Sequence, residues 1–226
     1  MLSSSRTGRE DYLHHAQAMI KAQLADNTEL LFIPFAGVSI HWDQYTEKVQ
    51  TALPQVKVTG IHQLPNAIQA IQNAKAIAVG GGNTFNLLHQ LYKQDLISSL
   101  QKKITQGCPY IGWSAGSNIC GDSIRTTNDM PIIQPPSFNA LQFVPFQINP
   151  HYSDQHPENF NGETRAQRIQ EFCALNPSMP VLGLREGSAL HRQGNQLTLK
   201  GQLPGIIFLA EQHSIMLPGQ DLSEYL

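Results

Sequence analysis

Short apolar runs alternate with helical patterns through the first half of this chain, and that alternation most restricts its fold. Leu30–Phe35, Val56–Ile61, Ala76–Val79 and Tyr110–Trp113 read as buried strands. Between them, Leu13, Ala16, Ile20 and Leu24 fall on one helical face. So do Phe85, Leu88 and Tyr92, and later Leu96, Leu100 and Ile104. Strands that alternate with helices favour an α/β fold, a mostly parallel central sheet with helices on both faces. The pattern breaks after Ser123. Residues 125–160 are rich in Pro, Asn, Gln and Phe with little periodicity, as expected of a functional loop region inside a compact domain. Order returns with a helix near Glu163–Leu175 and a strand at Val181–Leu184. Four short strands, Ala189–His191, Gln196–Leu199, Ile206–Leu209 and His213–Leu217, then read as a small C-terminal β meander. The 226 residues hold no repeat and no linker, so a single domain over 1–226 is expected.

Charge and cysteine content remove several function classes. Net charge is −2 and Lys+Arg number 15, with no basic run longer than Lys102-Lys103, so no nucleic-acid partner is expected. No stretch approaches the roughly 18 to 20 apolar residues of a membrane span. Met1–Arg6 has no apolar core of signal-peptide length, which leads to a cytoplasmic expectation without membrane contact. Cys108, Cys120 and Cys173 are too few and scattered for a disulfide framework and lack zinc-site spacing. They read as small core residues, and no metal or other cofactor is expected.

Gly112-Trp113-Ser114-Ala115-Gly116 matches the G-x-S-x-G turn, fed directly by an apolar strand. A nucleophile on a tight strand-to-helix turn needs small neighbours, and the helix that follows aims free N–H groups at the hydroxyl. Ser114 is therefore the candidate nucleophile. Gly80-Gly81-Gly82-Asn83-Thr84 also ends a strand and opens a helix. It lacks the dinucleotide fingerprint, since Phe85 stands at the third glycine, and no Walker lysine follows. Its second reading is an oxyanion hole, a glycine N–H acting with that of Ala115. A serine needs a base. Of nine histidines, His151 alone closes a strand-like run, Phe146–Pro150, inside the irregular region. The base needs a carboxylate to orient it, and Asp129 and Glu186 both qualify, Glu186 as a possible alternative acid at a strand end.

Six segments in order carry a resemblance. They are Ile33–Gly37, Gly80–Phe85, Gly112–Gly116, Thr126-Thr127-Asn128-Asp129-Met130-Pro131, Gln147–His151 and Gly162-Glu163-Thr164-Arg165. Together they resemble the peptidase E family of α-aspartyl dipeptidases, from about residue 30 to residue 187. The resemblance implies a class I glutamine-amidotransferase-like fold and cofactor-free hydrolysis of Asp-X dipeptides through a Ser-His-Asp triad and an acyl-enzyme. It implies Ser114 as nucleophile, His151 as base and Asp129 as third member. Gly81, Gly82 and Ala115 would form the oxyanion hole, and Arg165 would bind the substrate aspartate. The protein would act as a monomer or homodimer. Two departures stand out: a short first apolar edge, Met1–Ser3, and Arg185 where proline is expected, a cation whose proximity would alter Glu186. An α/β-hydrolase esterase and a nucleotide-binding module using Gly80–Gly82 are the competing readings.

Overall fold

The computed structural model describes residues 1–155 and 161–226. Residues 156–160, the end of the irregular stretch and with it His156, lie outside the described residues. In chain order, α1 (Gln17–Leu24), β1 (Glu29–Ile33), α2 (Trp42–Ala52), β2 (Lys57–Gly60), α3 (Ala67–Asn73), β3 (Ile77–Val79), α4 (Thr84–Lys93), α5 (Ile97–Thr105) and β4 (Tyr110–Gly112) form the first half. Their four strands pair in the order β2-β1-β3-β4, all parallel. Side chains alternate between two cores, as the strand period requires. Leu31, Ile33, Ile77 and Val79 pack with Leu87, Leu88, Leu91 and Leu100. Leu30, Phe32, Ala78 and Ile111 face the other way, with Ile20, Leu24 and Val49. The α4 stripe is rotated from the expected one. Leu87, Leu88 and Leu91 are fully buried, whereas Phe85 and Tyr92 pack at the margin, where larger, partly polar rings reach the surface.

The second half contains α6 (Ala115–Asn118), β5 (Gln147–Asn149), α7 (Arg165–Leu175), β6 (Val181–Gly183), β7 (Ala189–Gln193), β8 (Gln196–Lys200), β9 (Gly205–Leu209) and β10 (Gln212–Met216). A second sheet runs β10-β9-β6-β5, with β5 and β6 parallel and the other pairs antiparallel. The four C-terminal strands therefore do not form one meander. β7 and β8 make a separate antiparallel pair. β9, apolar along most of its length, is drawn beside β6 into the core, and β10 covers its far edge.

The short apolar edge at the N-terminus forms single bridges rather than a strand. Leu2 pairs with Trp113 on one side and Ala189 on the other, so it links β4 to β7. Burial raises the thiol pKa of all three cysteines, that of Cys120 to about 12, which fits core residues rather than nucleophiles. Among the described residues no helix is long and apolar enough to cross a membrane.

Candidate active site

Ser114 sits between β4 and α6 with φ 54 and ψ −115, outside the regions that L residues ordinarily adopt. The flanking glycines make this turn possible. A Cβ on Gly112 would lie 2.3 Å from the Gly116 carbonyl oxygen, and one on Gly116 would lie 2.2 Å from that of Val79. The Leu2 carbonyl accepts from the Ser114 N–H (3.2 Å) and from the Ser117 hydroxyl (2.7 Å), pinning the turn from outside the motif.

β5 carries His151 to the same place. Its Nε2 lies 3.0 Å from Ser114 Oγ, and its Nδ1 lies 2.8 Å from Glu186 Oε1. The residue has φ 54, and its backbone is clamped on both sides. Its N–H donates to Ser3 Oγ (2.9 Å), a fully buried hydroxyl that itself donates to the Leu184 carbonyl (2.7 Å). Its carbonyl accepts from Arg165 Nη1 (2.7 Å). Hydroxyl, imidazole and carboxylate thus form one hydrogen-bonded chain, the arrangement that lets an imidazole take a hydroxyl proton while its other nitrogen is held.

The carboxylate in that chain is Glu186, not Asp129 as the resemblance implied. Asp129 is engaged elsewhere: its Oδ2 accepts from the Thr84 N–H (2.7 Å), the Thr84 hydroxyl (2.6 Å) and the Thr127 hydroxyl (3.3 Å). An anion is favoured there by the free amides at the start of α4. The expected influence of Arg185 on Glu186 is also corrected. Its guanidinium pairs with Asp154 and donates to the Pro204 carbonyl (2.8 Å).

The glycine loop packs directly on the nucleophile. A Cβ on Gly81 would lie 2.9 Å from Ser114 Cβ. Gly82 has φ 137, and a Cβ there would lie 2.2 Å from the Ala36 carbonyl oxygen, so only glycine fits. Among the described residues, nothing accepts from the N–H groups of Gly81, Gly82 or Ala115. One orienting device escaped the sequence reading. The Tyr45 hydroxyl donates to the Gly81 carbonyl (2.9 Å), and in a trans peptide this also fixes the opposed Gly82 N–H. Trp113 Nε1 donates to both Tyr45 (3.3 Å) and Tyr12 (2.9 Å), and the Tyr12 hydroxyl donates to that of Tyr45 (3.1 Å). Burial raises the pKa of both phenols, which keeps them protonated donors. Nothing local marks these aromatics apart from ordinary core residues.

Ser114, His151, Gly81 and Gly82 line one cavity of 420 Å³ together with Val38, Ile40, Lys48 and Ile132. Arg165 reaches the site through the His151 carbonyl and is not part of the cavity wall. It is partly desolvated, which together with the nearby charge of Arg168 lowers its pKa.

Residues 1–200 match the model of peptidase family S51. The chain is 54% identical over 229 residues to the protein named peptidase E of Shewanella oneidensis, covering all of this chain and 97% of that protein. A peptidase E of Shewanella baltica is equally similar, at 54%. Among solved structures, a peptidase from an acI-B1 actinobacterium superposes with TM-score 0.70 at 15% identity. That likeness covers 98% of this chain and 94% of the other, and concerns the fold.

Proposed function

The chain belongs to peptidase family S51, and on that premise we propose that it hydrolyses Asp-X dipeptides with Ser114 as nucleophile. The observation that carries this reading is the Ser114–His151–Glu186 chain, at 3.0 and 2.8 Å, opening on a cavity beside unengaged glycine amides. His151 Nε2 takes the Ser114 proton as Oγ attacks the carbonyl carbon of the aspartyl residue. Glu186 holds Nδ1–H and stabilises the imidazolium. The N–H groups of Gly81 or Gly82 and of Ala115 receive the negative charge that develops on the carbonyl oxygen. The C–N bond then breaks, His151 returns the proton to the leaving amine, and residue X departs as a free amino acid. Water, deprotonated by His151, attacks the aspartyl ester, and Ser114 regains its proton as aspartate leaves.

Arg165 is the residue proposed to meet the aspartate side chain. Among the described residues its guanidinium hydrogen-bonds to the His151 carbonyl, and the planar fork can still pair with a carboxylate. A cation left without its anion in a partly dry site costs several kcal/mol, and polar sites reject analogues that lack the matched group by roughly 10⁴-fold. Asp-Leu is therefore cleaved readily, and Asn-Leu and Ala-Leu are poor substrates. Glu-Leu is also poor, because its extra methylene displaces the scissile bond, and about 1 Å of displacement can cost 10²-fold. Arg165→Met flattens this preference by losing Asp-Leu activity. Comparing kcat/KM for the four dipeptides in both proteins tests it. Equal wild-type rates on Asp-Leu and Ala-Leu would remove aspartyl specificity, and a preference kept by Arg165→Met would move its origin to another residue.

A further inference from the structure

An Asp-X dipeptide carries two carboxylates, one on each side of the bond that breaks. Arg165 answers the first in the reading above. A second cation, Lys48 of α2, lines the cavity that holds Ser114 and His151. Among the described residues that line the cavity, Lys48 alone carries a fixed charge. Its Nζ lies 4.3 Å from the centroid of the Tyr12 ring. That ring is anchored through its hydroxyl to Trp113 and Tyr45, the same aromatics that brace the nucleophile turn and the glycine loop. The ammonium therefore rests on a fixed platform.

Two observations mark this position as lacking an anion. No carboxylate among the described residues forms an ion pair with Lys48 or with Arg6. Yet the two cations are near enough that Arg6 lowers the Lys48 pKa, in addition to the larger effect of partial burial. Neighbouring like charges without a counter-charge create a positive potential that attracts anionic ligands. Val38, Ile40 and Ile132 also line the cavity, an apolar surface suited to the side chain of X.

We propose that Lys48 receives the free α-carboxylate of residue X, and so favours dipeptides over longer peptides and amides. This rests on the dipeptidase reading above and names a subsite within it. A longer peptide or an amide has no carboxylate at that distance from the scissile bond and leaves the ammonium without its partner. Lys48 is exposed in the free protein, so water screens the interaction and the effect is moderate, about tenfold rather than the larger factors of buried pairs.

The test compares Asp-Leu with Asp-leucinamide, which differ only in the terminal charge, in wild type, Lys48→Met and Lys48→Arg. Wild type should favour Asp-Leu by about tenfold in kcat/KM. Lys48→Met should bring that ratio close to one, with the loss on Asp-Leu and mostly in KM, while Lys48→Arg keeps the preference. A wild-type ratio near one, a ratio unchanged in Lys48→Met, or an equal loss on both substrates would overturn the proposal. Failure of the dipeptidase reading shows differently, as a wild type that cleaves Asp-Leu no faster than Ala-Leu.

Discussion

Ser114→Ala should lower kcat on Asp-Leu by about 10⁶-fold, the loss seen when a triad serine is removed from an enzyme whose other groups stay in place. The substitution deletes one oxygen and keeps Cβ. The turn is held by contacts that alanine preserves, namely the Ser114 N–H on the Leu2 carbonyl and the close packing at Gly112 and Gly116. The fold and thermal midpoint should therefore stay near those of wild type. Monitoring Asp-Leu hydrolysis alongside thermal unfolding checks both parts. Residual activity within about tenfold of wild type would remove Ser114 from the mechanism.

The second large effect separates two carboxylates. Glu186→Gln should lower kcat by about 10³-fold, somewhat less than the 10⁴-fold found for a buried triad aspartate, because Glu186 is partly exposed. Glutamine matches the shape of glutamate but lacks its charge. It can also offer N–H to His151 Nδ1, which favours the tautomer with the proton on Nε2 and blocks that nitrogen as a base. Asp129→Asn should act differently. It weakens the bonds to Thr84 at the start of α4, which costs stability of about 1 kcal/mol and leaves kcat within about tenfold. Paired kinetics and unfolding curves for the two variants decide between them. A larger kinetic loss in Asp129→Asn would show that the resting hydrogen bonds misreport the working acid.

Much of this site lies in local pattern, and what does not is set by packing between distant segments. The strand runs emerge because a parallel strand buried on both faces is apolar throughout, as in Ile77–Val79. Ser114 is visible because the turn that presents it demands glycine on both sides, and His151 because a strand ends on it. The choice between Asp129 and Glu186 has no such local signature. Both are carboxylates in loops beside the site, and the parallel pairing of β5 with β6, tied further by Ser3 to Leu184 and His151, brings the Glu186 turn to the imidazole. The C-terminal strands are spaced like a meander, yet β9 pairs with β6 rather than with β8, and Ile207 joins Leu182 in the same core as Leu190, Leu197 and Leu199 of the β7–β8 pair. Tyr45 and Lys48 lie three residues apart on α2, a spacing that places them on neighbouring faces, but no sequence pattern tells that this helix borders the glycine loop.

Covalent labelling tests most directly whether Ser114 is the nucleophile that His151 activates. The wild-type protein would be treated with a fluorophosphonate, which phosphonylates an activated serine, and the digest would be mapped by mass spectrometry. A single adduct on Ser114 is predicted, absent in Ser114→Ala and formed far more slowly in His151→Ala. An adduct on another serine, or labelling of Ser114 at the same rate without His151, would contradict it.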